Sequence, residues 1–477
     1  MHGDLNKESE CFAFGLFCVR WYTHAMQTKL TFWSGVHDAT GANFMLETGK
    51  ATLLIDCGLI QGQHAQTINC EVFPYDAKKV DALLVTHAHA DHIGRIPKLV
   101  REGFSGSIYT TEATRDLSQY MLEDALGVMR QEAKRDGTQP CYDETDVARA
   151  MALFRAVSYG DTVELPDGVT ATFTDAGHIL GSAIITLRRG EKVFVASGDI
   201  GNQPQPLLGA PNIPEKYDYL IMESVYGDRV HEDVADRKAK LLAVIEEARA
   251  KNGTLIIPAF SLERTQGLLY EINNAVESGD IEQIPIFLDS PLAIKVTEVY
   301  RKHPEYMRHD VQEQIHNGDD IFSFPGLEVS ASKEDSEAIH HTRGAKIIIA
   351  GSGMSHGGRI LAHERRYLPD PTTTVLLVGY QGVGTLGRKL RDGAKELRIA
   401  GENIPVRAAV RVIDGYSAHA DRDQLVAFVE LGAATVKKVF VAMGEESASL
   451  FLVQRLRDFL GVDAVAPTPG ESFIIEF

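Results

Sequence analysis

Six consecutive residues, His87-Ala88-His89-Ala90-Asp91-His92, carry three imidazoles and a carboxylate. The apolar run Asp81–Val85 precedes them and reads as a strand, while "HIGRIPKLV" after them reads as the start of a helix. In extended chain His87 and His89 point the same way, and Asp91 and His92 follow where the chain turns into the helix. One short loop thus offers two clusters of ligands. Imidazole and carboxylate are what zinc prefers when it must keep an open position for water. The bland alternative of surface or core-satisfied histidines suits a lone His, not this density. Two further residues end other strands: His178 in "DAGHILGSA" and Asp199 in "ASGDIG". Each alone is an ordinary turn residue. Together they supply a fifth and a sixth ligand, with Asp199 able to bridge two metals.

The elements that must position these groups alternate along the chain. "ATLLIDCG", "DALLVTH", "VTATFTDAGH" and "EKVFVASGD" read as strands by their β-branched content and turn-residue stops. From about residue 219 the rhythm becomes regular, with "YLIMES", "TLIIPAF", "IPIFLDS", "AKIIIAGSG" and "TVLLVGY" separated by helical stretches such as "RTQGLLYEINNAVES". That pattern predicts a parallel, doubly wound sheet. A last section, with "RVIDGYSAHADRDQL" and "KKVFVAMGEE", is mixed again. A length of 477 residues predicts at least two domains, and no repeat or Pro/Ser-rich linker marks their boundaries.

Bulk properties restrict the function. The 48 basic against 66 acidic residues leave a net charge of −18, which argues against a protein that coats nucleic acid non-specifically. Any nucleic-acid site must be a local basic or metal-bearing cleft. The odd, scattered set of Cys11, Cys18, Cys57, Cys70 and Cys141 contains no CxxC pair and reads as reduced thiols of a cytoplasmic protein, without a disulfide. The apolar stretch 11–22 is too short to span a membrane, so no membrane association is expected; residues 1–28 read as an extension, upstream of a start at Met26.

HAHADH, GHILGSA and SGDIG, in this order, resemble the metallo-β-lactamase superfamily. The downstream "IMESVYGDR", "IPAFSLERTQGLLY", "FLDSPLA", "GSGMSHGGR", "VGYQGVGTLGR" and "DGYSAHADRDQL" resemble its β-CASP branch, the nucleases of RNA maturation and decay. The resemblance covers about 30 to 477. It implies an α/β fold in which a metallo-β-lactamase αββα sandwich (29–227, returning over 393–477) is interrupted by a β-CASP domain (228–392), with substrate entering the cleft between them.

It also implies two zinc ions. The first would be held by His87, His89 and His178, the second by Asp91 and His92, with Asp199 bridging. A hydroxide shared by two such ions is a nucleophile at neutral pH. Asp91 counts among the catalytic residues with Glu223 in "MES" and His419 in "SAHAD", the pair placed to protonate the leaving oxygen. One position departs from the pattern. Where RNA-acting members carry a histidine in "VHGE", this chain reads "VAMGEES", so Met443 stands in place of a seventh ligand. A thioether is a soft, weak zinc ligand, so the second ion is expected to be held less firmly, and the choice of RNA over DNA is open.

The glycine-rich segment 351–359 offers Ser352, Gly353 and Arg359 to phosphate, against the alternative of a tight strand-to-helix turn. Arg264, Arg388 and Lys389 are candidate backbone contacts of the same kind. His37, His64 and His356 read as structural or surface residues. The leading function is a zinc-dependent ribonuclease acting on single-stranded RNA, with a homodimer as candidate assembly. The alternatives are a hydrolase of DNA or another phosphodiester or ester, and a weakened, non-catalytic partner subunit.

Overall fold

The computed structural model describes residues 27–62, 65–232, 235–379, 381–382 and 384–477. The expected extension therefore lies outside the described residues up to position 26, and Gln27 and Thr28 already belong to the first strand. His64, Cys11 and Cys18 also lie outside them.

Two seven-stranded sheets form the first body. One is built from β1 (Gln27–Ser34), β2 (Asn43–Glu47), β3 (Thr52–Ile55), β4 (Ala82–Leu84), β5 (Ser107–Thr110) and β6 (Phe154–Ala156). The other takes β7 (Thr162–Glu164), β8 (Val169–Asp175), β9 (Ala183–Arg189), β10 (Lys192–Ala196) and β11 (Tyr219–Met222). The six-stranded sheet of the second body uses β12 (Thr254–Pro258), β13 (Ile286–Asp289), β14 (Leu327–Val329), β15 (Lys346–Ala350) and β16 (Thr374–Val378). The hairpin of β17 (Glu396–Ile399) and β18 (Glu402–Pro405) follows, and β19 (Ala409–Ile413) joins the six-stranded sheet beside β16. Last come β20 (Lys438–Val441), β21 (Ala464–Val465) and β22 (Ser472–Glu476), which return to the first body. There β22 pairs with β1, and β20 pairs with β11 in parallel.

The two seven-stranded sheets face each other across a core that includes Phe32, Phe44 and Leu53 from one side and Phe173, Ile185, Phe194 and Phe440 from the other. Their outer faces are covered as well, Met45, Leu54 and Leu83 clustering with Leu117 and Leu122 of the helix Glu112–Asp136, and Ile184, Val195 and Leu220 with Leu425, Phe428 and Leu452 of two later helices. In the six-stranded sheet every pairing is parallel, and β12, β15 and β16 are buried at each position, as a sheet with helices on both faces demands. The two bodies share apolar contacts: the helix Glu112–Asp136 packs on the helix Pro291–Lys302, and the Leu180 N–H donates to the Tyr300 hydroxyl at 3.4 Å.

One expectation is overturned. Cys70 and Cys141 form a disulfide, with their Cα atoms 5.0 Å apart. Neither belongs to a spacing motif, and only the fold brings the helix Ala65–Cys70 against the segment leading into the helix Glu144–Leu153. Cys57 is free and buried, and burial pushes its thiol up to about 12, which leaves it unreactive. Among the described residues no helix is long and apolar enough to cross a membrane.

Candidate metal centre and proton donor

The centre lies where strands of both large sheets end. β3 and β4 are parallel neighbours, so Asp56, just after β3, stands beside Thr86 and His87, just after β4. A close backbone approach fixes the loop below: a Cβ on Gly58 would meet the Asp91 carbonyl at 1.5 Å, so only glycine fits there. His178 follows β8 and Asp199 follows β10. His419 arrives on the return segment, which bridges Gly201 antiparallel, with the Ala420 N–H donating to the Ile200 carbonyl at 2.7 Å.

Four ligand atoms converge. His87 Nε2 and His178 Nε2 stand 3.0 and 3.1 Å from His89 Nδ1. Asp199 Oδ2 lies 3.4 Å from His87 Nε2 and 3.5 Å from His178 Nε2. Four ligands about 2.0–2.1 Å from one zinc ion in a tetrahedron stand about 3.3 Å from each other, so the spacing fits a single ion. Hydrogen bonds at the far ring nitrogens fix the tautomers. His178 Nδ1 donates to the Ala418 carbonyl at 3.1 Å. The Thr86 hydroxyl donates to Asp56 Oδ2 at 2.8 Å and therefore accepts from His87 Nδ1 at 3.0 Å. Both Nε2 atoms are left with a lone pair facing the centre. Burial lowers the pKa of His87, His89 and His178, and so keeps them neutral and able to bind a cation.

Beside this group, His92 Nε2 and Asp199 Oδ1 face each other at 3.3 Å, both buried and neither hydrogen-bonded. A buried orphan nitrogen opposite a buried orphan oxygen fits a second cation between them. Burial opposes charge on His92, but Asp199 and Asp56 outweigh it and pull its pKa well above normal, so in the absence of metal a proton takes the cation's place. Burial would likewise raise Asp199, yet His92 and His87 hold it well below the usual carboxylate range. Asp91 lies close enough to interact electrostatically with His92, Asp199 and His87, although it completes no group of three closely spaced ligands with them.

Met443, where a seventh ligand was expected to be missing, is a core residue. It is 3 % exposed, takes φ 45°, and packs in the apolar layer between the sheets. A cavity of about 10 Å³, the size of one water, separates it from His92, Asp56 and Glu223.

The His419–Glu223 pair stands on the other side of Asp199. His419 Nδ1 lies 3.2 Å from Glu223 Oε2 and 3.8 Å from Asp199 Oδ2. The Ile200 N–H donates to Glu223 Oε1 at 2.6 Å, which locks the carboxylate in place. Burial opposes charge on His419, but Glu223, with Asp199 and Asp91 behind it, raises its pKa to about 9. Without metal this favours the protonated imidazole, which remains 24 % exposed.

The sequence pointed to neither Asp56 nor Thr86. His92 Nδ1 donates to Asp56 Oδ2 at 2.8 Å, so Asp56 sets the tautomer of His92 while Thr86 sets that of His87. An acid ending the strand "TLLID" was the available signal. Of the expected substrate contacts, Arg359 is fully engaged by Asp289 at 2.6 Å and by the Ser330 and Ala331 carbonyls. Arg388 pairs with Asp392 on the surface. The Ser352 hydroxyl caps its own turn, accepting from the N–H groups of His356 and Gly357, and Gly353 packs on Phe260. Arg264 alone of the three arginines has no hydrogen-bond acceptor among the described residues. His37 stands 3.9 Å from Glu446 and His356 3.4 Å from the Ser352 hydroxyl, both away from the centre.

Comparison with known proteins agrees with this geometry. A metallo-β-lactamase superfamily domain model matches residues 45–209, a Beta-Casp domain model residues 265–390, and a model of a Zn-dependent metallo-hydrolase RNA specificity domain residues 403–467. The chain is 36% identical to Ribonuclease TTHA0252 of Thermus thermophilus over 87% of its own length and 93% of that protein. It is 31% identical to Transcription termination factor FttA of Methanocaldococcus jannaschii, over 90% of this chain and 69% of that one. A crystal structure of a protein of unknown function from Enterococcus faecalis V583 shares the fold, with a TM-score of 0.55 at 12% identity, covering 94% of this chain and 100% of that one.

Proposed function

Because the chain belongs to the β-CASP family of metallo-β-lactamase-fold nucleases, we propose that it is a zinc-dependent ribonuclease cleaving single-stranded RNA in the cytoplasm. The observation that carries this reading is the convergence of His87 Nε2, His89 Nδ1, His178 Nε2 and Asp199 Oδ2 beside the Glu223-paired His419. His87, His89 and His178 would hold one metal and His92 with Asp91 the other, Asp199 reaching both through its two oxygens. When bound, such a metal pair supplies a nucleophile at neutral pH and neutralises phosphate charge. Within the chain, Asp56 and Thr86 keep the ring nitrogens of His92 and His87 correctly protonated, and Glu223 orients His419. His419 gives its proton to the leaving oxygen of the phosphodiester. We place the return from the β-CASP body at about residue 414, since β19 still stands in its sheet.

The test is digestion of 5′-labelled single-stranded RNA and DNA side by side, with metal content measured on the same sample. Cleavage of RNA in preference to DNA, with about two zinc ions per chain, is expected. Equal or faster cleavage of DNA would move the protein to the second class of phosphodiesterase, and no cleavage with metal bound would make it a non-catalytic partner.

A further inference from the structure

Arg264 opens the helix Arg264–Glu277, just beyond the C-terminal end of β12. Glu263 before it has φ 65°, and the two side chains leave the loop toward different partners. Glu263 accepts the Tyr300 hydroxyl. Arg264 instead places its guanidinium carbon 6.0 Å from the centroid of the Tyr416 ring, with Nη2 3.7 Å from where Gly379 would carry a Cβ.

Among the described residues this guanidinium has no hydrogen-bond acceptor and no ion pair, its Nε is buried, and the Glu263 carboxylate acts on it only through space. The carboxylate of the cluster, Glu271, is already taken: Arg237 donates to it at 3.2 and 3.0 Å, and the Tyr416 hydroxyl donates to its other oxygen. Burial lowers the Arg264 pKa to about 10, which still leaves it charged at neutral pH. A desolvated cation with no hydrogen-bonded anion is costly, and a guanidinium fork matches a phosphate. Its position is informative. Tyr416 precedes His419 by one turn of chain, and the Tyr226 ring, which lies in the field of Arg264, is 6.3 Å from the His419 ring. Arg264 is thus connected through Tyr416 and Tyr226 to His419, the group proposed to protonate the leaving oxygen. In a chain of net charge −18, a local cation of this kind is what a polyanion needs to dock.

We propose that Arg264, cradled by Tyr226 and Tyr416, binds the phosphate adjacent to the scissile one on the leaving-group side of the substrate strand. The inference rests on the nuclease reading and adds a second phosphate subsite to it. One consequence is that the protein prefers substrates that extend past the cleaved bond in that direction.

The experiment compares kcat/KM for dinucleotides with and without one extra terminal phosphate, at the 5′ or the 3′ end, in wild type, Arg264→Lys and Arg264→Gln, with Tm measured for each. In wild type the extra phosphate at one end should raise kcat/KM roughly 10- to 100-fold, the scale of a charge-assisted hydrogen-bonded pair. In Arg264→Gln this ratio should fall to about one, mostly through KM, while Arg264→Lys retains part of it, a charge without the fork. The Tm of Arg264→Gln should change little, since the guanidinium makes no hydrogen bond among the described residues. A ratio that survives in Arg264→Gln overturns the proposal. So does an equal loss on extended and unextended substrates with a lowered Tm, which would make Arg264 structural. If only deoxyribonucleotides are cleaved, the ribonuclease reading fails, and the same ratio on deoxy-dinucleotides still decides the role of Arg264. Wild type that cleaves neither kind of dinucleotide overturns both.

Discussion

Replacing Asp56 by Asn should silence the second metal position without removing a ligand. The carboxylate is 1 % exposed and meets only donors: the Thr86 N–H and hydroxyl, each at 2.8 Å, and His92 Nδ1 at 2.8 Å. An amide presents one NH2 group, and in either orientation that group faces a donor. The strain is relieved if His92 changes tautomer, so that Nδ1 accepts and Nε2 carries the proton. Nε2 is the atom aimed at Asp199 Oδ1, and a protonated Nε2 cannot bind a cation. The backbone does not confound the test, because Asp56 sits at φ 56°, a left-handed conformation that Asn tolerates at least as well. Loss of an orienting partner typically weakens metal affinity by about 10- to 100-fold, and an unsatisfied buried donor costs about 1–3 kcal/mol of stability. Zinc competition with a chromophoric chelator would resolve two binding steps, with the weaker one shifted by that factor in Asp56→Asn, and nuclease activity would fall with it. Two unshifted binding steps with full activity would refute the tautomer argument.

Met443→His should destabilise the metal-free protein by about 1–3 kcal/mol, read as a lowered Tm, because an imidazole enters an apolar layer. Added zinc should restore it and raise metal retention after mild chelation; retention of two ions by wild type would show that the second position is already complete. His419→Ala should slow hydrolysis of poor leaving groups by roughly 10²–10⁴-fold and spare an activated aryl phosphodiester. Equal losses on the two would assign His419 to binding instead. Glu364 is buried with Oε2 unpartnered, and burial raises its pKa to about 7. The folded state thus keeps its proton after the unfolded chain has released one, and stability falls between pH 4.5 and 7. Glu364→Gln should remove that loss, on the order of 3 kcal/mol, giving a higher Tm at pH 8 and little change at pH 4.5. Thermal melts at the two pH values check it, and an equal change at both would contradict the assignment.

The sequence displayed the ligand-bearing loop because HAHADH is local: its spacing alone sets which side chains share a face. The strands around it, and the parallel character of the six-stranded sheet, follow from runs such as "TLIIP" and "KIIIA" that are buried on both faces. What depends on distant chain crossing was hidden. Asp56 matters only because β3 and β4 are neighbours. The three arginines look alike in sequence, and it takes the fold to occupy Arg359 with Asp289, Ser330 and Ala331 while Arg264 makes no side-chain hydrogen bond among the described residues. Met443 reads as a gap in a ligand set, whereas in space it belongs to the packing of Phe44 and Phe440. The Cys70–Cys141 bridge follows the same rule.

The pairing of β11 with β20 constrains the order in which the protein can become active during its synthesis. β11 ends at Met222, and the strand that covers its free side begins only at Lys438, after the whole six-stranded sheet. On the ribosome, the edge of β11 must wait, with Tyr219, Leu220, Ile221 and Met222 unpaired on that side, until the insertion has emerged and folded. Glu223, at the end of that strand, meets His419 only on the same return. The nascent chain therefore already carries its cluster of histidines and Asp199, but not the His419–Glu223 pair, while it is still attached to a messenger RNA. The topology postpones assembly of the complete centre until most of the polypeptide has been made.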